Sequence, residues 1–163
     1  NSTTPLVLDA DALNCVAKQP EILLRKKAPI IITPHPGEMS RLTGLATPLV
    51  NAERERVALD FAQKYGVVTV LKGAGTVIAS PNGKVLVNPT GNSGMATGGS
   101  GDVLAGMTAS ILAQGASAFS SAAAAVYLHG FAGDIAAEKY GKISMLPTDL
   151  INCIPLAYKR CGF

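Results

Sequence analysis

The chain passes from a helical to a strand pattern within one segment, Asn51-Ala-Glu-Arg-Glu-Arg-Val-Ala-Leu-Asp-Phe-Ala-Gln-Lys-Tyr-Gly-Val-Val-Thr-Val-Leu71. Apolar residues recur every three or four positions up to Tyr65, which predicts an amphipathic helix with Asn51 as its N-cap. Gly66 suits the end of this helix because glycine readily adopts the left-handed backbone found there. Val67–Leu71 is apolar throughout, as expected of a strand covered on both faces of a parallel sheet. The segment therefore predicts one helix–strand unit of an α/β fold.

The same alternation of strands and helices extends in both directions along the chain. Upstream, the short apolar runs Leu6–Leu8 and Ile30–Thr33 predict two more buried strands. Downstream, Thr76–Ser80 and Val85–Asn88 flank Pro-Asn-Gly-Lys, the strongest hairpin signal in the sequence. Strands separated by helices predict a layered α/β domain with a largely parallel sheet and one β-hairpin.

Three helices are predicted after the hairpin. Two of them, at 101–114 and 120–139, are rich in small residues, which favours close packing on a sheet or between subunits. His129 lies in the second of these helices and is interpreted as a hydrogen-bonded core or interface residue. Thr148 is predicted to cap the last helix, and Pro155 is predicted to kink or break it.

Composition limits the class of protein. The 163 residues suffice for one domain, and 48% hydrophobic against 15% charged residues excludes intrinsic disorder. A net charge of +3, four Phe, four Tyr and no Trp argue against nucleic-acid binding. Cys15, Cys153 and Cys161 show no paired or metal-binding spacing, which favours a reducing compartment. The sequence predicts neither a signal peptide nor a membrane span. Its start without Met suggests a cleaved product or an excised fragment, with removal of Met or a tag scar as alternative causes.

A glycine-rich segment, Gly91-Asn-Ser-Gly-Met-Ala-Thr-Gly-Gly-Ser-Gly-Asp102, leads into the helix predicted at 101–114. Its glycines let the backbone approach a ligand closely, and the helix start adds free N–H groups and the positive end of the helix dipole. Both features favour the binding of phosphate. The pattern matches neither the Walker P-loop nor the G-x-G-x-x-G fingerprint.

Asp102 is the unusual residue of this segment because an acid repels phosphate. One interpretation makes it a base that takes a proton from an attacking hydroxyl while backbone N–H groups hold the transferred phosphoryl group. The other interpretation is that its charge only complements the helix dipole.

Other polar residues that follow predicted strands also allow two interpretations. Lys72 is either a ligand contact at the carboxyl end of a strand or an exposed lysine in a hairpin turn. Turn chemistry alone accounts for His35 and Glu38 as a cap and a turn residue, with catalysis as the alternative. Asp9 and Asp11 could hold Mg²⁺, directly or through water, although Asp11 could equally cap the next helix.

Four stretches, in order along the chain, carry a resemblance to a known family. They are Asp9-Ala-Asp-Ala-Leu-Asn14, Thr33-Pro-His-Pro-Gly-Glu-Met-Ser-Arg-Leu42, Leu71-Lys-Gly-Ala-Gly-Thr76 and Asn92-Ser-Gly-Met-Ala-Thr-Gly-Gly-Ser-Gly-Asp102. Together they resemble the ADP/ATP-dependent NAD(P)H-hydrate dehydratases of the ribokinase-like superfamily, with Ser100 where Thr is usual. The resemblance implies a ribokinase-like α/β/α fold. Because family members are longer on the N-terminal side, it also implies that residues 1–163 are the C-terminal portion of a single dehydratase domain whose N-terminal part is missing.

The resemblance also implies an activity. Members of this family are hydro-lyases that repair hydrated NADH and NADPH (NADHX and NADPHX): they phosphorylate the ring hydroxyl with ADP or ATP, and loss of phosphate restores the ring. ADP is the more strongly expected donor here, with Mg²⁺ as the ion. The expected enzyme is cytoplasmic and homo-oligomeric and has neither nucleic acid nor membrane as a partner. In many bacterial relatives an NAD(P)H-hydrate epimerase domain is fused upstream.

Residue by residue, the resemblance implies three groups. The catalytic group combines the base Asp102 with an anion hole formed by Gly99, Ser100 and Gly101. The residues expected at the hydrated dinucleotide are His35, Pro36, Gly37, Glu38, Met39, Ser40, Arg41 and Asp102. The residues expected at the nucleotide donor are Lys72, Gly73, Ala74, Gly75, Thr76, Asn92, Ser93, Gly94, Met95, Ala96, Thr97, Gly98, Gly99, Ser100 and Gly101.

Two alternative functions are also considered. A small-molecule kinase for a vitamin precursor or a sugar, on the same fold, would share the Gly-Ser-Gly-Asp end of the loop but would stop at the phosphorylated product. The Asn-Ser-Gly-Met-Ala-Thr lead-in and the His-Pro-Gly-Glu turn favour the dehydratase. A non-catalytic nucleotide-binding fragment is the second alternative, because the N-terminal part of the domain is missing.

Overall fold

The computed structural model describes residues 2–162, and within them five strands form one sheet in the order β1-β2-β3-β4-β5. The strands are β1 (Leu6–Leu8), β2 (Ile30–Ile32), β3 (Val68–Leu71), β4 (Val77–Ala79) and β5 (Val85–Val87). Pairing is parallel from β1 to β2 and from β2 to β3, and antiparallel from β3 to β4 and from β4 to β5. The sheet therefore joins three parallel strands to the predicted hairpin.

Helices cover both faces of the sheet. They are α1 (Asp11–Ala17), α2 (Pro36–Thr43), α3 (Thr47–Ala52), α4 (Arg54–Tyr65), α5 (Ser100–Ala113), α6 (Ala118–Tyr140) and α7 (Pro147–Arg160), with short 3-10 helices at Pro20–Arg25 and Ser93–Met95. One core lies between the sheet and α1 to α4, and a second lies between the sheet and α5 and α6. A smaller third cluster joins α6 to α7. This layering confirms the predicted α/β/α fold class.

The strands alternate their side chains between the two cores. Ile32 of β2 faces the core under α1 to α4, whereas Ile31 faces the core under α5 and α6. In β3, Leu71 faces the first core, and Val68 and Val70 face the second. Because both faces are covered, β2 and β3 are buried along their whole length. Polar residues can therefore reach the surface only beyond the strand ends.

The segment that predicted the α/β fold differs from expectation only at its start. The helix that ends at Tyr65 begins at Arg54, and Asn51 lies in α3 instead of serving as an N-cap. The two helices are separate because Glu53 leaves helical geometry, with φ −127° and ψ 43°. Gly66 ends α4 with φ 64°, as predicted.

The predicted break in the last helix is wrong. The helix α7 continues past Pro155 to Arg160, and its N-cap is Leu146 rather than Thr148. A proline removes one backbone donor, but an amphipathic face packed on a neighbour stabilises the helix more than that loss destabilises it. The packed residues of α7 are Leu150, Cys153 and Ala157.

Two further expectations concern bilayers and disulfides. Within residues 2–162, no helix combines the length and the hydropathy needed to cross a lipid bilayer. Cys15, Cys153 and Cys161 are all free thiols. The cysteines therefore contribute no cross-link to this fold.

Candidate active site

The carboxyl ends of β1, β2 and β3 meet at one edge of the sheet. Thr33 N donates to the Leu8 carbonyl over 3.1 Å, and Lys72 N donates to the Pro34 carbonyl over 2.8 Å. Residues just beyond parallel strands share one surface, which is where α/β proteins bind ligands. Three of the four motif stretches, far apart in the sequence, come together on this surface.

Lys72 is the centre of a charged cluster on this surface, formed with Asp9 and Glu38. Its ammonium lies 2.7 Å from Asp9 Oδ1 and 3.9 Å from Glu38 Oε2. The three side chains are mostly buried, with exposed fractions of 19% for Lys72, 13% for Asp9 and 7% for Glu38. Because little water screens them, the charges interact more strongly than surface pairs do. Two carboxylates face one ammonium, so the cluster has an excess of negative charge.

His35 and Glu38 form the capping box of α2. His35 Nδ1 accepts hydrogen bonds from the Gly37 and Glu38 N–H groups over 3.0 and 3.3 Å, and Glu38 Oε2 accepts one from His35 N over 2.8 Å. Because Nδ1 is an acceptor, the neutral ring carries its proton on Nε2. The side chain of His35 is 52% exposed, and its Nε2 lies 3.5 Å from Glu38 Oε1. The capping role is therefore combined with an imidazole that is open to solvent beside the charged cluster.

The remaining residues of α2 differ in their access to this surface. Arg41 Nε donates to Asn14 Oδ1 over 3.0 Å and so joins α2 to α1. Ser40 Oγ donates to the Leu45 carbonyl over 2.6 Å. Met39 has no exposed surface and belongs to the core under α1 to α4. Its side chain therefore packs in that core, so a contact of Met39 with a bound dinucleotide would involve its backbone.

The Lys72–Thr76 loop connects β3 to β4 through a turn that requires glycine. Gly73 has φ 147° and Gly75 has φ 62°, conformations that residues with side chains rarely adopt. Thr76 Oγ1 donates to the Gly73 carbonyl over 3.0 Å and closes the turn. The loop thus presents exposed backbone next to the charged cluster.

The helix α5 begins directly beside this cluster. A Cβ placed on Gly101 would lie 3.5 Å from Lys72 Nζ, so the helix backbone itself faces the ammonium. Gly99 is the N-cap, with φ 97°. Ser100 N donates to the Thr97 carbonyl over 3.3 Å. The next two N–H groups, of Gly101 and Asp102, lie in the first turn, where the helix itself provides no acceptor for them.

Asp102 is exposed in the first turn of α5, one residue after Gly101. A carboxylate in this position complements the helix dipole, and its exposure also leaves it accessible to a bound hydroxyl. The structure therefore places the candidate base beside the candidate phosphate site. Both interpretations of its role are compatible with this position.

The helix α6 anchors the glycine-rich segment, a role that was not predicted from the sequence. The Asp134 carboxylate accepts hydrogen bonds from Gly91 N over 2.8 Å and from Asn92 Nδ2 over 3.0 Å. A Cβ on Gly133 would come within 2.3 Å of Met95 Sδ, so glycine permits the close contact. One face of α6 thus holds the start of the predicted nucleotide-binding segment.

A signal for this role was present in the sequence. Asp134 is the one charged residue between positions 118 and 137, and Gly130 and Gly133 lie beside it in an alanine-rich helix. Glycine weakens a helix interior by about 1 kcal/mol relative to alanine. Two such glycines next to a lone acid therefore indicate close packing of another segment.

His129 supports the start of α5 from the same helix. Its Nε2 lies 3.0 Å from the Ser100 carbonyl oxygen. Burial lowers the pKa of this imidazole to about 4, so the ring is neutral near pH 7 and donates Nε2–H to that carbonyl. The interpretation of His129 as a hydrogen-bonded core residue is confirmed, and its partner is the first residue of α5.

Asp9 and Asp11, the two acids considered for a metal ion, have different partners in this structure. Asp9 faces Lys72, whereas the exposed Asp11 accepts a hydrogen bond from Asn14 Nδ2 over 3.4 Å. In the described part of the chain, no three His, Cys, Asp or Glu side chains are grouped to hold a metal ion. The carboxylates that converge are those of Asp9 and Glu38.

Comparison with known proteins agrees with this arrangement. The family model described as NAD(P)H-hydrate dehydratase matches residues 1–156. This chain belongs to the NAD(P)H-hydrate dehydratase family. The matched residues include all four motif stretches, the charged cluster and the start of α5.

Relatives in the dehydratase family are longer than this chain. The "Bifunctional NAD(P)H-hydrate repair enzyme Nnr" of Moorella thermoacetica is 47% identical over 96% of the chain, which spans 29% of that protein. The "ADP-dependent (S)-NAD(P)H-hydrate dehydratase" of Bacillus subtilis is 37% identical over 96% of the chain, which spans 55% of it. A crystal structure of the Bacillus subtilis ADP/ATP-dependent NAD(P)H-hydrate dehydratase, co-crystallised with ATP/Mg²⁺, has a TM-score of 0.87 to the chain at 37% identity and the same 96% and 55% coverage.

We expect His129 to make this dehydratase-family chain less stable in mild acid. The imidazole titrates near pH 6.5 when unfolded and at about 4 when folded, so between these values the unfolded state binds the proton more tightly. Stability is fully present above about pH 6.5 and falls by up to about 1.4 kcal/mol per pH unit as the pH drops towards 4. Urea unfolding of the wild type and of His129→Gln should show a difference in unfolding free energy that shrinks towards acid pH. Parallel pH profiles for the two proteins would contradict this expectation.

Proposed function

We propose that this chain provides the phosphoryl-transfer site of an ADP-dependent NAD(P)H-hydrate dehydratase, a hydro-lyase that restores NADH and NADPH from their hydrates. The observation that carries the proposal is the position of α5: Gly101 adjoins Lys72, and Asp102 lies exposed in the same helical turn. The names of the Neisseria meningitidis and Bacillus subtilis relatives, which specify ADP dependence, support ADP as the donor.

The residues of the site divide between holding phosphate and moving a proton. The Lys72 ammonium and the first-turn N–H groups of α5 bind phosphate oxygens and stabilise the charge that develops during transfer. Asp102 accepts the proton of the ring hydroxyl while the hydroxyl oxygen attacks the terminal phosphorus of ADP, and AMP leaves. The ring nitrogen lone pair then expels phosphate, a far better leaving group than hydroxide. The iminium ion that results loses a proton from the neighbouring ring carbon to solvent, which restores the reduced ring.

A Mg²⁺ ion fits the chain only as a partner of bound phosphate. Mg²⁺ is commonly held by one or two carboxylates together with substrate phosphate oxygens and water. Asp9 and Glu38 supply such carboxylates, and their excess negative charge over Lys72 favours a cation. Bound there, the ion would neutralise charge on the phosphate oxygens. Asp11 lies outside this arrangement.

The setting proposed for this activity is a cytoplasmic homo-oligomer. The three free thiols suit a reducing compartment. Several of the relatives are named bifunctional repair enzymes, and the chain spans 29% of the one from Moorella thermoacetica. Their length and name support an upstream epimerase domain in the parent protein.

The test is an assay of ADP binding and turnover. We expect the purified chain, incubated with ADP, Mg²⁺ and hydrated NADH, to form AMP, phosphate and NADH in equal amounts, measured by chromatography and by nicotinamide absorbance. A kinase would form AMP and a phosphorylated product without NADH. Binding of ADP without its consumption would favour the non-catalytic alternative, and failure to bind ADP at all would contradict the proposal.

A further inference from the structure

Arg54 lies against the Lys72–Thr76 loop without belonging to the charged cluster. It is the first residue of α4, and its Nη2 donates to the Leu71 carbonyl over 2.9 Å and, at longer range, to the Gly75 carbonyl over 3.4 Å. These two carbonyls stand on either side of the Lys72–Ala74 stretch. One nitrogen atom of Arg54 therefore ties the two sides of the loop together.

The guanidinium group also fits closely against the turn of the loop. A Cβ on Gly73 would lie 2.7 Å from Arg54 Nη1, and Gly73 has φ 147°. The planar group thus packs on bare backbone at the point where the chain takes a conformation that suits glycine. The shape of the loop and the position of the guanidinium depend on each other.

This placement of Arg54 is unfavourable for the helix that carries it. Burial lowers the pKa of the guanidinium from its usual value. Its Nε is buried and has no hydrogen-bond partner among residues 2–162. A cation at the N-terminus of a helix is also repelled by the helix dipole. Because α4 gains nothing from the charge, the contribution of Arg54 must lie in the loop that it contacts.

We propose that Arg54 is a positioning residue that holds the Lys72–Thr76 loop in its nucleotide-binding shape and so directs Lys72 towards α5. Arg54 acts only through the loop and touches no reacting atom. The link to ADP rests on the proposed function, whereas the clamp on the loop is a property of the free chain. A lysine cannot replace it, because the single nitrogen of an ammonium cannot both donate to the two carbonyls, as Nη2 does, and pack a planar face against Gly73, as Nη1 does.

Hydrogen exchange without nucleotide tests the clamp directly. In Arg54→Ala and Arg54→Lys, we expect faster amide exchange in residues 71–76 and unchanged exchange in α5 to α7. Arg56→Ala is the matched control, because Arg56 is an exposed arginine on the same helix and forms ion pairs with Glu53 and Asp60. Unchanged exchange in the loop of the Arg54 variants would overturn the inference. If Arg54→Ala does not fold, Arg54→Lys is judged by the same criterion.

Calorimetric measurement of ADP affinity separates positioning from general destabilisation. In Arg54→Ala, the Kd for ADP is expected to rise about tenfold, the order expected for losing a charge-assisted hydrogen bond. Added methylguanidinium should restore part of the affinity, because a groove of about 410 Å³ lined by Arg54, Gly75 and Val87 gives it access to the loop. A Kd that does not change would overturn the positioning role. So would a raised Kd that added methylguanidinium does not lower. If the wild-type chain does not bind ADP, the proposed function fails, while faster loop exchange still supports the clamp.

Discussion

Replacement of Asp102 by Asn is expected to slow dehydration of hydrated NADH by a factor of about 10²–10⁴, the usual contribution of a general base. The amide keeps the size and shape of the carboxylate but cannot take up the proton of the ring hydroxyl. Because Asp102 is exposed, the free energy of unfolding should change by no more than about 0.5 kcal/mol. The measurements are kcat with saturating ADP, the Kd for ADP, and urea unfolding.

Turnover and stability decide between the two interpretations of Asp102, whereas ADP affinity is expected to change in the same direction under both. Removing a negative charge beside bound phosphate should leave ADP affinity equal or higher, since the repulsion disappears. Asp60→Asn is the matched control, because Asp60 is an exposed acid on α4, 63% exposed, away from the charged cluster. Turnover that survives in Asp102→Asn would show that this carboxylate is not the base. A loss of stability without a loss of kcat would favour the role of dipole complement.

The elements of the fold were predictable where their signals are local. Hydrophobic periodicity up to Tyr65 and the glycine that follows it specify the end of α4, and apolar continuity specifies β3. The start of α4 was not predictable, because it depends on where Glu53 leaves helical geometry between two helices. The continuation of α7 past Pro155 depends on packing against α6, which no local pattern contains.

The candidate site was predictable in its motifs and not in its supports. Lys72, Gly101 and Asp102 stand out because glycine-rich turns and strand ends are visible in sequence. The partners of Arg54 and Asp134 could not be predicted, because they lie in segments 17 and 43 residues away, at Leu71 and Gly91 respectively. Such partnerships are created only when the sheet brings separate segments together, so residue type alone could not assign them.

The second large effect is expected at the ion pair between Lys72 and Asp9. Replacing Lys72 by Met keeps the side-chain volume but leaves Asp9 and Glu38, 13% and 7% exposed, without their cation. Breaking a buried pair from one side destabilises a protein by about 3–5 kcal/mol, because the remaining charge is uncompensated. The variant should therefore unfold at a much lower urea concentration, and its ADP affinity should fall because an ammonium that attracts phosphate is gone. Lys84→Met, in the exposed turn of the hairpin, is the control and should change neither quantity.

A double variant separates the two functions of Lys72. Adding Asp9→Asn to Lys72→Met removes one of the uncompensated carboxylates, so most of the lost unfolding free energy should return, while ADP affinity should stay low. Urea unfolding of the wild type, both single variants and the double variant yields the coupling energy of the pair. Additive effects of the two substitutions would show that the 2.7 Å contact contributes nothing to stability. Recovery of ADP binding together with stability would show that the ammonium serves only the fold, and that phosphate is held by the N–H groups of α5 alone.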